Sequence, residues 1–500
     1  MRYFRVISII LSCLILFSSC NSLIVSDDTT SGGKNTSVEE IGIALPYSST
    51  DSLNPYVAVT KVNQELSMLL YDPLIKLDEA FSPVYYLADE ISIDKQRVTV
   101  TLKDVRFTDN SLLTADDVKY SFNQLNKTEN KYKLQLSNIK SCSIFDQKTI
   151  VFDLYKYDPY FINLLDFPIF KNGTAETKDS NDRTIPPIGC GRYVIDSENS
   201  YRLIPNKDYY NGKTKFDYIN LIDTPDNESL SHMVEVSAID MIYSEFSDST
   251  IPKMSGTQNA VPLTNIVYLG INPNNYLLSK TEMRVAISSA LSRDEIVKSA
   301  YFGFATAATG IFPANWKEAA ELQHISSEQN IKQVVAYLEQ LGYNSKDTDG
   351  YYVAQSGERI TFSLLYNKEN ISRKYAAGLI VQQLKKVGIE IIVTEAESFE
   401  EYSQRLENNN YDIYIGEIKL AKNMDLRDVF SKNVISGINE SYTSEMIDAF
   451  YEEKADISTV ISSCASEMPI IPICNRKGVS IYSDSIKDIN VSISDIYTDL

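Results

Sequence analysis

Two histidines are all this sequence offers for imidazole chemistry. His232 stands beside Ser231 in SLSHMVEV, a stretch of helical character, and His324 follows a Trp-containing loop. Neither has an Asp or Ser partner legible in the sequence, and no GxSxG run encodes a nucleophile elbow. Histidine is also the commonest metal ligand. Its scarcity, with no CxxC or HxxxH spacing, argues against a metal site and for no cofactor. The paired carboxylates Glu400-Glu401 belong to a solvated helix face. What remains is charge without reactive partners. Glu417, Lys419 and Lys422 follow a short apolar segment, with Asp425 just beyond. Open α/β sheets bind ligands beyond the carboxyl ends of their strands, so these residues mark a candidate binding edge. For any one of them the alternative is an ordinary solvated loop residue.

The chain has 500 residues and a formal net charge of −20, from 47 Lys and Arg against 67 Asp and Glu. That length suits two or three domains. Such acidity repels phosphates, so neither nucleic acid nor an anionic membrane surface is an expected partner.

The first residues are an address. Arg2 and Arg5 precede an apolar run from Ile7 to Phe17, then Ser18-Ser19-Cys20. The run is too short to span a bilayer stably and suits the core of a secretory signal. The small residues before Cys20 resemble a bacterial lipoprotein box, which implies removal of residues 1–19 and lipidation of Cys20. Residues 20–40 are rich in Ser, Thr, Asp and Gly and read as a flexible tether. Cys142, Cys190, Cys464 and Cys474 lie in the body. In an exported protein they permit two disulfides, and Cys464–Cys474 is the nearer pair; four small buried thiols are the alternative.

Several elements must position the charges. Ile41 to Leu45 is a first strand, and Gln64 to Leu70 is helical. Arg97 to Leu102 alternates with period two, as a half-buried strand does. Ile150 to Leu154 is a further strand, and between them Thr114-Ala115-Asp116-Asp117 opens a helix. Residues 193–195 and 201–204 read as a hairpin. From 280 the pattern changes. A helix over 282–291 buries Met283, Ala286, Ile287 and Ala290. Capping boxes at Ser292–Glu295, Ser326–Gln329 and Ser398–Glu401 open further helices. The second of these turns Ile331, Val334, Val335, Leu338 and Leu341 inward. Residues 372–387 form a helix that Gly388 ends, and strands follow at 389–393 and 411–415. Alternating helices and strands predict a parallel α/β sheet.

Seven stretches then resemble, in order, the extracellular solute-binding proteins of ABC importers, family 5, of the oligopeptide/dipeptide-binding type. They are Leu53-Asn54-Pro55; the run 69–122, with LLYDPL, VRFTDN and LTADDVKYSF; Pro187 to Tyr193 (PIGCGRY); Asn206 to Tyr210 (NKDYY); 284–303 (RVAISSALSRDEIVKSAYFG); the helix–Gly–strand over 379–393 with Tyr411-Asp412-Ile413; and Glu467 to Ile473 (EMPIIPI). The resemblance implies an α/β fold, periplasmic-binding-protein-like type II, with two lobes, a hinge and an α+β domain inserted in lobe I. Lobe I would comprise 41–60, 185–265 and 470–500. The insertion would be 61–184 and lobe II 266–469. It implies a non-enzymatic, monomeric lipoprotein that captures a peptide-like or related small solute and passes it to the permease, touching the membrane through its lipid alone. A sensor or chaperone-like lipoprotein of the same fold is the alternative, and a secreted hydrolase a more distant one. Ligand-binding candidates are Asn54, Asn272, Glu417, Lys419, Lys422 and Asp425. In peptide-binding members an Asp after the 411–415 strand holds the ligand's α-ammonium. Here Lys422 stands in that place and would repel an ammonium. This leaves a ligand with an anionic or blocked end, or a salt bridge from Glu417 or Asp425 to Lys422 with apolar contacts holding the solute.

Overall fold

The computed structural model describes residues 40–175, 178, 185–245, 254–427, 429–430, 442–484, 486 and 489–500. The export signal, Cys20 and most of the tether lie outside them. Among the described residues no helix is long and apolar enough to cross a membrane.

Antiparallel pairing dominates the first part of the chain. Gly42–Tyr47 pairs in parallel with Tyr218–Asp223, which continues antiparallel to Arg202–Pro205 and on to Tyr193–Ile195. A second four-stranded sheet runs in the order Ala88–Asp94, Arg97–Leu102, Thr149–Leu154, Ile139–Ile144. Arg97–Leu102 alternates as expected, with Val98, Val100 and Leu102 buried. The helix Ala115–Leu125 begins where Thr114 donates to the Asp117 carboxylate.

The second part is built on a seven-stranded sheet. Its parallel portion is narrower than the alternation predicts. Thr361–Asn367 lies parallel to Glu390–Ala396 and to Ile413–Lys419. Two long strands, Thr257–Ile271 and Ile471–Tyr482, then pair antiparallel and make the sheet mixed. Helices Thr281–Ser289, Arg293–Ala300 and Ile371–Val387 cover it with a separate apolar core, to which Met283, Ala286, Ile287, Ile380 and Leu384 contribute. Gly388 ends its helix at φ 95°, the left-handed conformation a glycine adopts freely.

Two capping expectations fail because the side chains are used elsewhere. Ser292 precedes its helix without a side-chain cap, and Glu295 accepts from Gln383 instead. The helix expected at Ser326 starts at Ile331, capped by Asn330. Gln329 is spent on the Ala290 carbonyl, which ties the loop to the preceding helix. Val334 and Leu338 are buried, but Ile331 faces solvent. The expected Cys464–Cys474 disulfide is absent: both are free thiols buried in different hydrophobic clusters, one on the helix Ile457–Glu467, the other on a strand of the large sheet.

The long strands connect the two parts. Residues 257–262 pair with 477–482, beside Met241–Ser244, whose neighbour Asp240 bonds to Ala44. Residues 266–269 pair with 471–475, beside Ile413–Lys419. The pairing is broken between Pro262 and Ile266. Here the chain passes from one part to the other.

Candidate functional site at the strand crossing

Ile413–Lys419 runs four residues beyond the predicted strand end, because 265–271 continues the ladder. Glu417 is therefore a strand residue, opposite Val267. Its carboxylate accepts from Asn265 at 2.8 Å and Arg476 at 3.0 Å, with Arg373 at 3.8 Å. Arg476, in the second long strand, also donates to the Glu245 carbonyl. Lys419 meets the Glu245 carboxylate at 3.1 Å. Burial works to raise the Glu245 pKa, but Lys419 and Lys61 outweigh it and the carboxyl ends below its ordinary value.

Across from these strand ends lies the helix Lys61–Leu70. Its Glu65 is buried, with Lys61 at 3.8 Å one turn away. Burial raises Glu65 to about 8, against the opposing pull of Lys61 and Lys131. Lys61 also rests on the ring of Tyr243, 4.6 Å from its centre. The charges form one contiguous group where the two parts of the molecule face each other.

The loop after Lys419 completes the contact. Lys422 pairs with Asp166, and its carbonyl accepts from Asn163 at 3.1 Å. Asn423 donates to buried Asp158 at 2.6 Å. Asn315 and the Lys317 amide bond to the carbonyls of Glu79 and Ala80. Trp316 stacks edge-on against Tyr160 at 5.1 Å. Among the described residues, several buried polar atoms at this crossing have no hydrogen-bond partner: Glu65 Oε1, Asn265 Oδ1, Tyr301 Oη, Arg373 Nε and Asn475 Nδ2. Buried polar groups are satisfied as a rule, so atoms left over in one region mark a place built for solvent or a solute.

Four of the six expected ligand residues lie at or near this junction. Glu417 and Lys419 belong to the cluster and Lys422 to its rim. Lys422 bonds to Asp166 rather than to Glu417 or Asp425. Asp425 is turned to Arg427, whose guanidinium covers the Tyr451 ring. Asn54 and Asn272 lie elsewhere. Asn54 bonds to the Ala175 carbonyl and the Tyr56 amide, and Asn272 to the Tyr411 carbonyl and the Asn274 amide, so both shape turns. Glu65, Lys131, Asp166, Glu245, Arg373 and Arg476 were not among the expected residues. For two of them a signal existed: Glu65 interrupts the apolar stripe of its helix, and Arg476 stands within an otherwise buried strand.

Comparison with known proteins identifies the family and the fold. The family "Bacterial extracellular solute-binding proteins, family 5 Middle" matches residues 81–426, and the chain belongs to that family. The oligopeptide-binding protein AppA of Bacillus subtilis is 25% identical over 414 residues, 77% of this chain and 75% of the relative. The glutathione-binding protein GsiB of Escherichia coli is 24% identical over 277 residues, 52% of this chain and 54% of the relative. Among solved structures, a nickel ABC transporter protein from Bacillus halodurans superposes with a TM-score of 0.74 at 20% identity, covering 92% of this chain and 98% of that one. An ABC transporter substrate-binding protein from Sinorhizobium meliloti gives 0.72 at 16% identity, covering 91% and 98%. The fold is the type II periplasmic-binding-protein fold, with two lobes, a hinge and an inserted α+β domain. The chain is a solute-binding protein of the ABC-transporter class, not an enzyme.

Proposed function

We propose that this protein is the lipid-anchored receptor of an ABC importer. It captures a peptide-like or related small solute between its lobes and delivers it to the permease as a monomer tethered through Cys20. Lobe I would be 41–60, 185–265 and 470–500, with 61–184 inserted, and lobe II 266–469. The observation that carries the reading is the partly buried charge cluster at the strand crossing, supplied from both sides and left with unpartnered polar atoms among the described residues. Solute bound there contacts both lobes at once. It thereby favours the closed arrangement, in which Lys422 meets Asp166. The related oligopeptide- and glutathione-binding proteins support a peptide-like ligand.

The test is to purify the full chain, denature it, and identify co-purified solute by mass spectrometry, followed by calorimetry with di- to pentapeptides. Binding that Arg476→Ala weakens at least tenfold is expected. The absence of both co-purified solute and peptide binding would contradict the reading.

A further inference from the structure

Residues 489–500 contain no helix or strand, yet most of them are buried. Their hydrogen bonds show what holds them. The Ile489 carbonyl accepts from Asn259, on the long strand Thr257–Ile271, at 2.7 Å. The Asn490 amide donates to the Asp499 carboxylate at 2.7 Å, which folds the segment back on itself. Between these ends Ser492 and Asp495 exchange backbone hydrogen bonds at 3.0 and 3.2 Å, closing a tight turn.

The turn carries a buried anchor. Asp495 is 1% exposed and pairs with Lys76 at 2.7 Å and with Arg192. Arg192 also donates to the carbonyls of Tyr497 and Thr498, at 2.5 and 2.6 Å. Charges taken out of water need partners on every side, and removing one strands the rest. Lys76 belongs to the inserted segment and Arg192 to PIGCGRY. The anchor thus ties three distant stretches together and fixes the residues on either side of Asp495.

Ser494 stands next to that anchor. Its hydroxyl donates to Asp166 Oδ2 at 3.1 Å, and this is the oxygen that meets Lys422. Gln135 donates to the other oxygen, Oδ1, at 3.2 Å. Two neutral donors therefore grip the carboxylate, one on each oxygen, and Lys422 reaches the oxygen that Ser494 holds. Lys76, Asp166, Lys422 and Ser494 line one cavity of about 30 Å³, so anchor, hydroxyl and interlobe ion pair adjoin. Fixing a side chain before its partner arrives removes an ordering cost from the association.

We propose that residues 489–500 form a strap and that Ser494 is a positioning residue, which presents Asp166 to Lys422 so that the closing lobes meet a carboxylate already in place. The proposal rests on the receptor reading above. It makes closure depend on a residue outside the strand crossing.

The test reads the emission of Trp316, which packs against Tyr160 of the inserted segment at 5.1 Å. The full chain, stripped of bound solute, is compared with Ser494→Ala, Ser494→Thr, Lys422→Ala and the double variant carrying both alanines. Lys422→Ala is expected to shift the emission to longer wavelength and Ser494→Ala to give at least half that shift. Ser494→Thr, which keeps the hydroxyl, is expected to give none, and the double variant to shift no further than Lys422→Ala. A merely destabilising substitution would show neither the rescue nor the lack of additivity. Unshifted emission in Ser494→Ala beside a shifted Lys422→Ala, an equal shift in Ser494→Thr, or additive shifts in the double variant would overturn the proposal and leave the receptor reading intact. An unshifted Lys422→Ala would overturn the proposal together with closure by this ion pair. Solute capture by the unaltered chain, identified by mass spectrometry, decides the receptor reading separately.

Discussion

Glu65 shows how much a single side chain can decide here. It lies on the inner face of a ten-residue helix, where its neighbours Leu66 and Leu69 are fully buried. Its ordinary pKa of 4.5 rises to about 8 in the folded chain. A group raised on folding contributes stability while it stays protonated in both states. That contribution is present below pH 4.5 and is lost progressively as the pH climbs towards 8. Thermal unfolding from pH 4.5 to 9 is therefore expected to show a decline that Glu65→Gln flattens; identical profiles would contradict the assignment. Asp495 has the opposite sign. Burial pushes its pKa up, but Arg192 and Lys76 outweigh this and hold it below 3.8. Its stabilisation is present above that value and fades as the pH falls further. Asp495→Asn leaves Lys76 and Arg192 short of a counter-charge at a buried site. A loss of about 3–5 kcal/mol in denaturant unfolding is expected. The charges next to one strand were legible in the sequence because they are close in number. Lys131 and Asp166 were not, since only the folded topology brings such distant positions together.

At the scale of elements, the sequence motifs prove to be about docking as much as binding. PIGCGRY lies across the end of the helix Lys61–Leu70, and the Gly191 amide donates to the Leu70 carbonyl at 3.0 Å. A Cβ on Gly191 would stand 2.4 Å from the Leu69 carbonyl oxygen, and one on Gly189 2.1 Å from that of Leu70. Backbone atoms cannot move aside cheaply. Gly191→Ala is therefore expected to cost about 2–4 kcal/mol, read from urea unfolding, and to tilt the helix that carries Glu65. Wild-type stability would refute the close-approach account. Strands and helices with a strong period were legible. Helix starts were less so, because Glu295 and Gln329 bond to other elements rather than to their own helix ends. Strand ends were also misplaced, because the length of a strand is set by its partner. Glu417 could be seen as a strand residue only once 265–271 was known to lie beside it.

Across the whole molecule, the two-part architecture could be read from the change of pattern near residue 280 and from seven ordered motifs. The crossing could not. It depends on two long strands that share a ladder on both sides of a break at Pro262–Ile266. Net charge was legible but deceptive, for a chain of −20 gathers Lys61, Lys419, Arg373 and Arg476 at its crossing. At the Lys422 loop the ion pair with Asp166 stands beside an apolar contact, since Leu420, Met424 and Leu426 are buried in a cluster shared with the first part of the chain. Small-angle scattering of the unliganded chain is expected to show a larger radius of gyration for Lys422→Ala than for wild type. Equal radii would mean that this ion pair does not hold the lobes.

The central claim, closure around a solute, has a built-in reporter. Trp316 is the one tryptophan of the chain; it is 2% exposed and packs against Phe312 and against Tyr160 of the inserted segment. When the lobes part, Tyr160 leaves and the indole meets water. The direct measurement is the tryptophan emission of the full chain, stripped of bound solute, during titration with casein hydrolysate. A saturable shift to shorter wavelength, with a red-shifted starting point in Lys422→Ala, is the expected result. An unmoved spectrum during titration with a solute that calorimetry shows to be bound would contradict closure at this crossing.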